Sequence, residues 1–149
     1  MFDYNKMGSI FDTEFIPCGD LTLDYLEEVI VQNFRNEGVP IATKRDGIKA
    51  GLLSKDPCLV IYNPQNLDYH TIVLVIRNLN KTRVISMYSA GTASAQHIGG
   101  GMLNMEYQSN KLKGAFKSAK QKSAEESEYN TWAFRCVYDA LEACGVMAD

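Results

Sequence analysis

The chain has 149 residues, 15 Lys plus Arg against 18 Asp plus Glu, a formal net charge of −3 and a hydrophobic content of 46%. That length and balance fit one domain over residues 1–149, with a core that holds without disulfides or metal. The charge argues against a dedicated duplex-DNA binder, whose phosphate contacts call for an excess of Lys and Arg.

No window reaches the ~18 apolar residues of a membrane span, and Met1–Ser9 lacks the basic and apolar regions of a signal peptide. A cytoplasmic protein is expected. Cys18, Cys58, Cys136 and Cys144 form no CxxC pair and read as buried free thiols. With two histidines and no ligand spacing, neither a zinc site nor a cofactor is expected.

The leader over residues 1–20 carries Phe2, Tyr4, Phe11, Phe15 and Ile16, too apolar for a free tail, so it should pack on the domain or on a second copy. A helix follows. Thr22 is its N-cap, Leu23, Leu26, Ile30 and Phe34 recur at helical spacing, Gly38 suits a left-handed C-terminal cap, and Pro40 bars continuation.

Four strands come next. Val39–Lys44 leads into Asp46-Gly47, a dipeptide that favours a hairpin turn, with a short return strand near Ile48. Cys58–Tyr62 places Leu59 and Ile61 opposite Val60. Tyr69–Arg77 sets Ile72, Leu74 and Ile76 against Val73 and Val75, so it should be central and covered on both faces. A polar turn at Asn78–Lys81 joins it to Thr82–Tyr88.

From Ser89 the chain turns small and flexible, and a Gly/Ala/Ser-rich connector is expected over residues 89–109. Two helices should complete it, Asn110–Lys122 and Ala124–Ala143, the second opened by Ser123 with Glu126 at capping-box spacing and closed by Gly145. Its stripe of Tyr129, Trp132, Ala133, Cys136, Val137, Ala140, Leu141 and Cys144 faces the core.

Backbone N–H groups of a small-residue loop can approach an anion closely, so Ser89, Gly91, Thr92, Ser94, His97, Gly99, Gly100 and Gly101 are candidate ligand contacts. Lys113, Lys117 and Lys120, on one border of the next helix, would complete an anion cradle. No Gly-x-Gly-x-x-Gly or Gly-Lys-Ser/Thr motif is present, so neither a dinucleotide site nor a P-loop is implied. An exposed connector and snorkelling lysines explain the same residues without a ligand.

His97 is the candidate proton-transfer residue, with solvation as its plainer explanation. A Cys58–His70 nucleophile would need both strand starts to meet, whereas buried cysteines usually act as small hydrophobes and His70 suits the core boundary. Asp20, Asp24, Glu27 and Glu28 cluster around the first helix, where its dipole accounts for Asp24.

The sequence therefore predicts an α+β domain with a mostly antiparallel sheet of four to five strands, the N-terminal helix and the two C-terminal helices covering opposite faces. Its expected function is a non-enzymatic protein-interaction or regulatory domain that binds a protein partner or itself. The first alternative is a binding protein or enzyme that takes an anion, nucleotide or other small molecule at the Gly-rich loop and the following Lys-rich helix, and the second is an RNA-binding accessory protein.

Overall fold

The computed structural model describes residues 2–15, 21–93, 119–143 and 145. It is an α+β fold with elements β1 (Phe2–Asp3), a 3-10 turn (Tyr4–Lys6), β2 (Gly8–Phe15), α1 (Leu23–Asn36), β3 (Ala42–Lys49), β4 (Lys55–Tyr62), β5 (His70–Leu79), β6 (Thr82–Thr92) and α2 (Ala119–Ala143).

The expected four to five strands are six, in the order β1-β3-β4-β5-β6-β2. Pairing is mixed: β1 runs parallel to β3, and the other neighbours are antiparallel. The leader adds the two extra strands, one at each edge. In a flat sheet those edges would lie ~24 Å apart, five gaps of ~4.8 Å. Asp3 and Gly8 are separated by a link that spans at most ~18 Å when extended, and less with a 3-10 turn inside it. The sheet is consequently curled, with the link crossing its inner face.

Strand periodicity sorts the side chains as the sequence implies. Leu59, Ile61, Ile72, Leu74, Ile85 and Met87 belong to the outer-face core with the helices. Cys58, Val60, Val73, Val75, Tyr88 and Ala90 lie on the inner face. The inner cover differs from expectation, because the helices do not take opposite faces. Leu26, Ile30 and Phe34 of α1 and Ala133, Val137, Ala140 and Leu141 of α2 all join the outer core. Phe2, Tyr4 and Met7, with Leu67 from the β4–β5 loop, cover the inner one. The short N-terminal link already occupies that side.

Helix α1 keeps its predicted punctuation. The Thr22 Oγ1 accepts the Tyr25 N–H at 3.1 Å. At the other end the Val39 N–H donates to the Phe34 carbonyl at 2.9 Å and the Gly38 N–H to Arg35 at 3.1 Å, a Schellman closure with Gly38 at φ +69. Two long-range bonds seat the helices: Asn33 Nδ2 donates to the Cys136 carbonyl at 3.2 Å, and the Tyr129 hydroxyl donates to the Pro40 carbonyl at 2.8 Å.

The Asp46-Gly47 hairpin is not formed. Both residues lie inside β3, paired with Cys58 and Pro57, and Ile48 is fully buried on the inner face rather than starting a return strand. The turn comes at Ala50–Ser54, where Gly51 has φ +151. The expected helix break at Ser123 is also absent, since α2 runs continuously from Ala119 through it. One interior serine costs a helix only a few tenths of a kcal/mol, too little to end it. The predicted connector begins later than 89, because β6 extends to Thr92 and holds Ser89 and Gly91. Residues 94–109, and 110–118 of the predicted Lys-rich helix, lie outside the described residues.

The α1 closure gives a direct test. A Cβ at Gly38 would meet nothing within 4 Å, so Gly38→Ala isolates the cost of the left-handed backbone. Urea unfolding should show a loss of about 1–2 kcal/mol; unchanged stability would contradict the assigned closure.

Candidate functional site

Strand β5 opens with His70 and passes α2 near its N-terminal half. The Glu126 Oε1 accepts both the backbone N–H of His70, at 2.9 Å, and its Nδ1–H, also at 2.9 Å. The carboxylate thus holds the Nδ1 edge of the ring and leaves Nε2 as the ring nitrogen open to a ligand. The ring is about half exposed and Glu126 is mostly buried.

Around this pair is an open cleft of about 400 Å³ lined by Ser89, Ser123, Ser127, Asn130, Thr131 and Phe134. Two structural details shape it. A bulge in β6 sets Ala90 and Gly91 against the single residue Thr71, whose Oγ1 donates to the Gly91 carbonyl at 3.0 Å. The continuous α2 then stacks Ser123, Ser127 and Asn130 along one side by helical spacing.

The cleft offers hydroxyls, an amide, an imidazole nitrogen and one carboxylate, and no Lys or Arg among the described residues that line it. It can hydrogen-bond a polar ligand and relay a proton through Nε2. His70 and Glu126 could supply two metal ligands, and among the described residues no group of three His, Cys, Asp or Glu gathers anywhere.

Of the candidate ligand contacts, Ser89 lines this cleft, and Gly91 and Thr92 sit nearby in β6. Ser94, His97, Gly99, Gly100, Gly101, Lys113 and Lys117 lie outside the described residues, as does the side chain of Lys120 within α2. The proposed Cys58–His70 pair is not assembled: His70 is bound to Glu126, whereas Cys58 is fully buried on the inner face. Burial pushes the Cys58 thiol up to about 11, so it stays protonated and non-nucleophilic near neutrality. Asp24 and Glu27 pair with Arg45 of β3, which gives those acids a structural role.

A second feature lies on the opposite side of α2. Trp132, the only tryptophan of the chain, is not buried in the core but partly exposed, with the Arg135 guanidinium 5.2 Å from its ring centroid. Beside them a small groove of about 100 Å³ between α1 and α2 is lined by Asn33, Asn36, Glu37 and Asp139.

Sequence reasoning missed the His70–Glu126 pair, which joins residues 56 positions apart, and read Glu126 as part of a cap. The chain matches no protein-family model, no curated protein and no solved structure. Among the described residues, no helix is long and apolar enough to cross a membrane.

Proposed function

We propose that this protein is a non-enzymatic interaction domain whose contact surface is the α1–α2 groove, and that its partner there is a second copy of the chain. The observation that carries the reading is the Trp132–Arg135 stack, its indole partly exposed and its guanidinium exposed. Tryptophan and arginine are the side chains most often found at energetic centres of protein interfaces, because each offers a large contact area together with a directional polar group.

The charge of the groove supports a self-contact. A two-fold interface brings one patch against itself, so a charged patch is self-complementary only if it carries both signs. Arg135 stands here with Glu37 and Asp139. In a two-fold pair, Arg135 of one copy would face the acids of the other around two packed indoles. The free thiols Cys58 and Cys136 lie in separate cores and fit a reducing, cytoplasmic setting.

Sedimentation velocity over a concentration series tests this. The wild-type chain should show reversible dimerisation, and Trp132→Ala should weaken it by about tenfold or more while leaving the cooperative unfolding transition intact. A wild-type protein that stays monomeric throughout the series would refute the reading.

The His70–Glu126 cleft favours a second reading, a binding site for a small polar ligand. Its described lining suits a neutral, hydroxyl-rich molecule better than an anion, since a carboxylate stands at its centre. Mono- and disaccharides, nucleosides and nucleotides should be screened by thermal shift. A ligand at 100 times its Kd adds about 2.7 kcal/mol of stability, a gain that Glu126→Gln should reduce by freeing the His70 ring. No shift by any neutral polar compound would remove support for this reading.

A further inference from the structure

The tip of the β3–β4 hairpin departs from the rule that large apolar side chains find cover. The Ala50 N–H donates to the Ser54 carbonyl at 3.1 Å and pinches the loop, leaving Gly51, Leu52 and Leu53 at its end. Leu52 is 98% exposed and Leu53 102%, so neither contributes to any core. Among the described residues, the next most exposed large hydrophobic side chain is Tyr25, at 43%. Two adjacent leucines held wholly in water on a projecting turn stabilise nothing within the chain.

The base of the same hairpin carries a second unpaid cost. Lys49 and Lys55 are register partners directly across the two strands, and both are exposed. Like charges in that position repel. Neither lysine forms an ion pair among the described residues. Asp3, the register partner of Lys49 on its other side, accepts the Asn5 N–H at 2.9 Å, and Asp56 accepts the Tyr4 hydroxyl at 2.5 Å.

We propose that this hairpin docks on an anionic lipid bilayer, with Leu52 and Leu53 inserted at the headgroup–acyl boundary and Lys49 and Lys55 against the lipid phosphates and carboxylates. Shape favours a bilayer over a protein as the occupant. Two leucines on a convex tip cover far less than the ~800 Å² that each partner gives to a standard protein interface. A bilayer asks only that apolar side chains reach ~5–10 Å into the interface beside cationic ones. The net charge of −3 does not oppose docking, because at physiological salt charges beyond ~8 Å of the surface are largely screened. This surface is separate from the α1–α2 groove and does not depend on self-association.

Vesicle flotation with the full chain tests the proposal, using phosphatidylcholine vesicles with and without phosphatidylserine. The wild-type protein should float with the phosphatidylserine vesicles, and raising salt should weaken the binding. Leu52→Ser with Leu53→Ser should bind roughly tenfold or more weakly, with an unchanged melting temperature because the leucines touch nothing. Lys49→Gln with Lys55→Gln should lose the preference for phosphatidylserine. No flotation of the wild type, or equal flotation of the leucine variant, would overturn the proposal. So would equal binding to both kinds of vesicle. If the leucine substitutions leave flotation unchanged and abolish dimerisation in sedimentation, the tip serves a protein contact instead and the lipid assignment fails.

Discussion

The fold depends on one short covalent link. Strands β1 and β2 are joined by Tyr4–Met7 and yet pair at opposite edges of a six-stranded sheet, which no flat arrangement allows. Tyr4 secures the link at its start. Its hydroxyl donates to Asp56 of β4 at 2.5 Å, its ring meets Tyr88 of β6 edge-on at 5.6 Å between centroids, and the Arg77 guanidinium of β5 lies 5.2 Å from its centre. Arg77 Nη2 in turn donates to the Ser86 Oγ at 2.9 Å, and the Ser86 hydroxyl donates to Asp12 of β2. One chain of contacts therefore runs across the concave side from β4 to the far edge. Burial holds the Tyr4 phenol well above its usual range, mainly through desolvation with Asp56 adding to it, so the donor keeps its proton.

From this closure follows the division of labour between the faces. With the inner side taken by Phe2, Tyr4 and Met7, both helices must share the outer side, where they pack on the sheet and on each other. A helix pair on one face necessarily leaves a groove along its outward seam, and Trp132 sits there. The cleft at His70 arises differently, from a β6 bulge that opens the sheet end toward α2. The Leu52–Leu53 tip lies at the end of a hairpin whose strands are fixed by Ile48, Cys58 and Val60 in the inner core. Each candidate surface is thus held by packing that does not depend on the others.

Local patterns in the sequence were legible, and long-range partners were not. The alternation along Tyr69–Arg77 assigned Ile72 and Leu74 to one face and Val73 and Val75 to the other, because side-chain period is a property of the strand alone. Thr22 and Gly38 marked α1 for the same reason. A binary pattern says which residues are covered but not by what, so the placement of both helices on one face could not be read. The strands of the leader were hidden because Asp3, Asn5 and Gly8 interrupt any alternation and their pairing is with distant β3 and β6. Asp46-Gly47 had turn chemistry, yet burial of Ile48 and the eight-residue ladder from Ala42 to Lys49 overrode it. Gly51 followed by two leucines was the signal for the true turn. Trp132 fell within the apolar stripe of α2, and its place at the stripe's margin was visible only once the position of α1 was known.

Cys58 and Cys136 provide the most direct measurement of the central claim, since Cys58 lies in the inner core and Cys136 in the outer one. Thiol labelling read by peptide mass spectrometry should be slow at both positions in the wild-type chain. If the N-terminal link roofs the inner face, Phe2→Ser with Tyr4→Ser will accelerate labelling of Cys58 by about tenfold or more while Cys136 stays protected where α2 packs on α1. Equal acceleration at both cysteines, or none at Cys58, would contradict a face-specific roof and with it the curled closure of the sheet.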